Sequence, residues 1–119
     1  MTPNLAKDCI FCKIAAGEIP SSKVYEDSQV LAFRDIHPQA PVHVLIIPKK
    51  HYAALNEMTD KEEVLLGHMV HAAKIIAANE GVARSGYRVT INCGPDGGQV
   101  VQHVHLHLLG GRNLTGEMG

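Results

Sequence analysis

The chain has no tryptophan, two phenylalanines and three cysteines among its 119 residues. So few aromatics leave the interior to aliphatic side chains, and a hydrophobic share of 45% supplies enough of them for one core. An odd number of cysteines argues against the paired-disulfide framework of a small secreted domain. No apolar run approaches the roughly 18 residues needed to span a membrane. An excess of one charge is lacking as well, since eleven basic and twelve acidic side chains give a formal net charge of −1. Nothing in that balance provides an electrostatic footprint for nucleic acid or an anionic membrane. Residues 1–7 contain no apolar signal core, which predicts a cytoplasmic protein. The length predicts a single domain, with its core at about residues 8–112 and an irregular, glycine-rich tail over 110–119.

Histidine is what the chain has in excess: eight copies, three of them at alternate positions 103, 105 and 107. A period of two is the side-chain repeat of a strand, so an extended segment here aims all three imidazoles at one face. Val104, Leu106 and Leu108 then point the other way, into a core. Three titratable rings in register repel when charged and are hard to satisfy by packing alone. The pattern points to a reactive site.

The rest of the chain reads as a mixed α+β domain. Residues 8–16 predict a short helix with Asp8 as N-cap and Gly17 as its stop. Val24 to Glu26 and Val30 to Phe33 read as strands joined at Asp27 and Ser28. A loop with Pro38 and Pro41 precedes an apolar strand from Val42 to Ile47. Thr59 and Glu62 form a capping box for a helix running to about Asn79, with Gly81 beyond it. Its expected buried stripe is Val64, Leu65, His68, Met69, Ala72, Ile75 and Ile76. Tyr87 to Asn92 and Val100 to Leu109 complete five strands, the last two antiparallel across the turn at Pro95 to Gly98. The expected architecture is a mainly antiparallel five-stranded sheet with two helices packed on one face.

Two further constellations bear on chemistry. Cys9 and Cys12 are spaced as a metal or redox pair, but no strand precedes them as a thioredoxin-type site requires. Zinc needs four N or S ligands, so His51 and one of the three alternating histidines are the candidates to complete the set. Pro95 to Gln99 is a glycine-rich turn whose backbone amides could cradle a phosphate. Cys93 reads as structural, and His37, His68 and His71 as packing or surface residues.

The segment His103 to Leu109 resembles the His-φ-His-φ-His-φ-φ signature of the histidine triad superfamily of nucleotide hydrolases and transferases. Cys9 to Ile14, Gly17 to Pro20, Ala32 to Ile36, Pro38 to His43, Ile47 to His51, Gly86 to Arg88 and Gly97 to Gln99 are similar to its Hint branch of nucleoside phosphoramidate hydrolases. The likeness runs in one register over about residues 8–112. It implies a homodimer whose two sheets join into one of ten strands, with the helix over 60–79 and the strand over 87–92 at the two-fold interface.

The ligand implied is a purine nucleoside monophosphate or phosphoramidate. In the roles the resemblance carries over, His105 is the nucleophile at the α-phosphorus, while His107 and His43 position it and the phosphate. Asp35 holds the ribose hydroxyls, Asn92 and Gln99 contact phosphate, and Phe11, Ile14, Ile19, Phe33 and Leu45 wall the base pocket. The resemblance also implies a structural zinc on Cys9, Cys12, His51 and His103, with no organic cofactor and no catalytic metal. Two departures stand out. Val100 replaces a serine that many Hint-like proteins carry near the leaving amine, and the short tail lacks the tryptophan of some relatives. Dinucleoside polyphosphate cleavage, or nucleotide binding without turnover as a scaffold, are the competing readings.

Overall fold

The computed structural model describes residues 8–116. The segment read above as lacking a signal core, and the last three residues of the tail, lie outside that range. Five strands form one antiparallel sheet: β1 (Lys23–Glu26), β2 (Val30–Arg34), β3 (Val42–Pro48), β4 (Tyr87–Ile91) and β5 (Leu106–Gly110). Their order across the sheet is β1-β2-β3-β5-β4. With the helices α1 (Ile10–Ala15) and α2 (Glu63–Asn79), this is the expected α+β class.

The helices do not share a face, and here the sequence reading needs correction. Val30, Ala32, Val42, Val44, Ile46, Leu106 and Leu108 pack with Met69, Ala72, Ala73, Ile76 and Ala77 of α2. Leu31, Phe33, Leu45 and Ile47 emerge on the opposite face and pack with Cys9, Phe11 and Ile14 at α1. Strand β3 is buried at all seven positions. Its apolar run, interrupted only by His43, is what a strand covered on both sides requires. The three alanines of α2 bring its backbone close to the sheet, with Met69 and Ile76 as its bulky anchors. Truncating Ile76 to Ala would remove roughly 2–5 kcal/mol of stability.

The long helix begins as predicted. Thr59 caps the 3₁₀ turn Asp60–Glu62, and the Glu62 carboxylate accepts the Thr59 amide at 2.7 Å. Its buried face, however, is rotated from the expected stripe, for Val64 is 84% exposed while Ala73 and Ala77 are buried. Alanine carries little weight in an apolar count, so the stripe was read about one position off. At α1 the N-cap is Cys9, not Asp8, with the Cys9 sulfur accepting the Cys12 amide.

The largest local departure is at β5, which starts at Leu106 and not at Val100. Residues 101–105 bend away from β4. The Val104 amide bonds the Tyr52 carbonyl at 2.7 Å, and the His103 ring reaches the Pro48 carbonyl. The segment is thus drawn toward the chain that follows β3. The connection from β4 to β5 is a long loop rather than a tight hairpin, with the Pro95 turn only its first part.

Candidate functional site

The three alternating histidines still project on one side, because Val104, Leu106 and Leu108 are fully buried on the other. They nevertheless serve two different clusters. His103, wholly buried, turns Nδ1 toward the Cys9 sulfur at 3.3 Å and the Cys12 sulfur at 3.4 Å. His51 Nδ1 lies 3.2 Å from both the Cys12 sulfur and His103 Nδ1. Tetrahedral zinc, with bonds of about 2.3 Å to sulfur and 2.0 Å to nitrogen, holds its ligand atoms roughly 3.3–3.8 Å apart. The four donor atoms all lie within 4.8 Å of one another, so the set fits zinc.

The surroundings agree with a cation. His103 Nε2 donates to the Pro48 carbonyl at 2.8 Å, which leaves Nδ1 as the lone-pair nitrogen facing the sulfurs. Burial, and Cys9 beside it, push the Cys12 thiol up to about 12, so two thiolates cannot coexist there without a positive charge.

Asp35, His43 and His107 also offer donor atoms close together, but their hydrogen bonds argue against a metal. The Gln39 amide donates to His43 Nδ1 at 3.1 Å. Neutral His43 therefore carries its proton on Nε2, which donates to His107 Nδ1 at 3.0 Å. His107 in turn keeps its own proton on Nε2. This is a directed chain, Gln39 to His43 to His107, and its inner nitrogens are already engaged. The Asp35 carboxylate lies beside it, with Oδ2 at 3.5 Å from His43 Nε2 and Oδ1 accepting the His37 amide at 2.8 Å.

His105 stands between the two clusters. Its Nδ1 donates to the His103 carbonyl at 2.7 Å, so Nε2 is left with a free lone pair. The Phe11 ring meets it edge-on at 5.1 Å, and the His107 ring lies at 5.0 Å. Burial lowers the basicity of His43 and His105 and pushes His107 down to about 4. All three are neutral at pH 7, as a nitrogen nucleophile must be.

These rings open on a cavity of about 860 Å³. Phe11, Ile14, Ile19, Phe33 and Leu45 line it, together with Asp35, His43, Asn92, His105 and His107. Gln99 does not. Its amide group spends both protons on the Ala53 and Val101 carbonyls, and its oxygen accepts the Gly94 amide. Gln99 thereby shapes the glycine turn from within. Gly97 is required there because a Cβ would lie 2.4 Å from the Cys93 carbonyl oxygen, and Gly98 has a φ of +78°. A smaller cavity of about 540 Å³, lined by Ser85 to Arg88 and Gly111 to Leu114, holds none of these groups.

Sequence reasoning missed Gln39 as the residue whose amide fixes the His43 tautomer, and Pro48 as the carbonyl that fixes His103. Backbone donors leave no mark in side-chain identity. It also passed over Ile10, Ile36 and Val101, which line the cavity. His68, read as packing, bonds Asp27 at 2.6 Å, far from these clusters in role.

Comparison with known proteins agrees with this geometry. A HIT domain model matches residues 16–114. The purine nucleoside phosphoramidase of Escherichia coli is 50% identical over 110 residues, covering 92% of each chain. A 14 kDa zinc-binding protein of Zea mays is 52% identical over 108 residues, 89% of this chain and 84% of its own. The crystal structure of a HIT family hydrolase from Legionella pneumophila matches with a TM-score of 0.92 at 54% identity, over 94% of this chain and 100% of that one. Signature, sheet and sequence coincide along nearly the whole length, and the chain belongs to the HIT domain family.

Proposed function

We propose that the protein, working as one HIT domain per chain, hydrolyses purine nucleoside phosphoramidates through a nucleotide covalently held on His105. The observation that carries this reading is the bond from His105 Nδ1–H to the His103 carbonyl, which leaves Nε2 as a neutral nucleophile beside the cavity. The similarity to a purine nucleoside phosphoramidase supports the same substrate class.

In the first half-reaction, His105 Nε2 bonds to the α-phosphorus as the phosphorus–nitrogen bond to the leaving amine breaks. The amine takes a proton from the His43–His107 pair. Beside Asp35, and with an anionic phosphate bound, that pair can hold one extra proton and act as general acid. Water then attacks phosphorus, returns its proton to the pair, and releases neutral His105 with the nucleoside monophosphate. Asn92 and the backbone of the glycine turn face the phosphoryl oxygens, and Asp35 Oδ2 takes the ribose hydroxyls. Phe11, Ile14, Ile19, Phe33 and Leu45 form an apolar slot for the purine.

Cys9, Cys12, His51 and His103 would hold a structural zinc, which would neutralise two thiolates and fasten α1 to the segments after β3 and before β5. The protein is read as a homodimer, since Val64 and Val70 of α2 and Tyr87 of the edge strand β4 remain exposed on this chain. No helix among the described residues is long and apolar enough to cross a membrane. A cytoplasmic setting suits the unpaired thiols of Cys9, Cys12 and Cys93.

Acid-quenched mixtures of enzyme and adenosine phosphoramidate, examined by mass spectrometry, should show a nucleotidyl adduct on the peptide holding residues 103–107. An adduct assigned to His107, or turnover without any adduct in rapid-quench samples, would overturn the assignment of His105.

A further inference from the structure

The cysteine pair and the histidines of the cavity share two parts of the chain. Phe11 stands between Cys9 and Cys12 at the start of α1, lines the cavity, and meets the His105 ring edge-on at 5.1 Å. His103 faces both sulfurs through Nδ1, at 3.3 Å and 3.4 Å, while its carbonyl accepts the His105 Nδ1 proton at 2.7 Å. A change at the sulfurs therefore reaches a wall of the cavity and the group that sets the tautomer of the nucleophile.

The sulfurs are placed for one reaction besides metal binding. Both belong to free thiols. The Cys9 sulfur accepts the Cys12 amide at 3.4 Å, and the two sulfur atoms lie within 4.8 Å of each other. Cys-x-x-Cys spacing of this kind lets two thiolates join as a disulfide. Cys9 is buried and Cys12 only half-buried, which makes Cys12 the point of entry for an oxidant as small as a hydroperoxide.

We propose that Cys12 is an oxidation site, where a hydroperoxide drives a reversible Cys9–Cys12 disulfide that empties the metal site and slows the hydrolytic one. The inference rests on reading the four residues as a zinc site and His105 as the nucleophile, and it adds a modification that joins the two. The Cys12 thiolate attacks one peroxide oxygen, the O–O bond breaks, and the other oxygen departs as hydroxide or alkoxide and takes a proton. The Cys9 thiolate then attacks the sulfenic sulfur, forming the S–S bond and expelling hydroxide, which is protonated to water. Sulfur gives up two electrons, peroxide accepts them, and two protons are consumed. The ligand set shrinks to two imidazoles, too few to keep the ion. His103 Nδ1 then has no cation to face, and its carbonyl loses its fixed hold on His105. A dithiol reductant with added zinc reverses the change.

The test titrates zinc-loaded protein with hydrogen peroxide. Released zinc is read with a colorimetric chelator, disulfides by peptide mapping without reduction, and turnover with adenosine phosphoramidate. One zinc should leave for each Cys9–Cys12 disulfide formed. Turnover should fall by about 10–100-fold, the loss expected when a group orienting a site residue is removed. Dithiothreitol with zinc should restore both. Cys93→Ser should respond as wild type does, since that thiol belongs to neither cluster. Cys12→Ser, even if it holds zinc poorly, should form no disulfide within the chain. Oxidation that stops at sulfinic acid, a disulfide through Cys93, or zinc release with turnover unmoved would overturn the proposal and leave the zinc site and the hydrolase standing. Protein that takes up no zinc at all would overturn the zinc reading, and the proposal with it. Absence of turnover before any peroxide is added would instead overturn the hydrolase reading, and the coupling with it.

Discussion

His103 and His105 are two residues apart, are both almost completely buried and carry the same ring, yet the structure gives them opposite chemistry. His103 bonds a carbonyl through Nε2 and turns Nδ1 toward two sulfurs. His105 bonds a carbonyl through Nδ1 and keeps Nε2 for the cavity. His43 extends the contrast, because a backbone amide occupies its Nδ1 and makes Nε2 a donor. The backbone partner on one nitrogen decides what the other can do. Ring identity alone decides neither.

That comparison can be broken most sharply by exchanging which histidine is lost. His105→Ala should reduce turnover by at least about four orders of magnitude, with bound metal unchanged. His103→Ala should instead release metal. Paired measurements of kcat and zinc content on both variants check this, and loss of zinc in His105→Ala would merge the two clusters into one.

Removing the cation tests the other side. Cys9→Ser, or strong chelation, should cost about 4 kcal/mol, roughly 12–24 °C in Tm for a domain of this size. Calorimetry with metal analysis reads both quantities, and an unchanged Tm after complete metal loss would remove its structural role.

The donor chain is tested by His43→Gln, which keeps a polar group but breaks the directed link from Gln39 to His107. Turnover should fall by about 10–100-fold, with kcat affected more than KM and Tm unchanged. A loss confined to KM would make His43 a binding residue only.

The smallest effect concerns pH. Folding lowers the His107 pKa from 6.5 to about 4, chiefly by burial and then by His105 and His43 nearby. A lowered imidazole pKa means the unfolded chain binds its proton first as pH falls. Stability from this group is complete above pH 6.5 and is lost progressively as pH drops through about 4. Urea midpoints at pH 7 and pH 4.5 should differ less in His107→Asn than in wild type, and equal differences would exclude His107 as a source of acid sensitivity.

Much of the molecule was legible because its signals lie in side chains. The run from Val42 to Ile47, the capping box at Thr59 and Glu62, and the Asp27 turn each appear where local physics places them. The alternation at 103–107 anticipated that Val104, Leu106 and Leu108 are buried opposite the three rings. It could not reveal that residues 101–105 leave the sheet, since that depends on the Tyr52 and Pro48 carbonyls from a distant part of the chain. The rotation of α2 was hidden by its alanines. The covering of both sheet faces was written in the apolar run of β3, which a one-sided sheet would not need. Roles that rest on backbone partners, such as that of Gln39, were invisible for the reason already seen in the histidines.

The contact between Cys9 and His103 joins positions 94 residues apart. A cation gripping both ends would make the chain a closed ring. In the chain-entropy view, a link of that span excludes enough expanded conformations to be worth on the order of 4–5 kcal/mol. It also sets a schedule for synthesis. His103 follows Cys9 by 94 residues, so during synthesis both sulfurs are exposed well before the second of their two histidine partners exists. The interval before closure is when those cysteines are most open to oxidation, and a supply of metal during translation, rather than after it, would shorten that exposure.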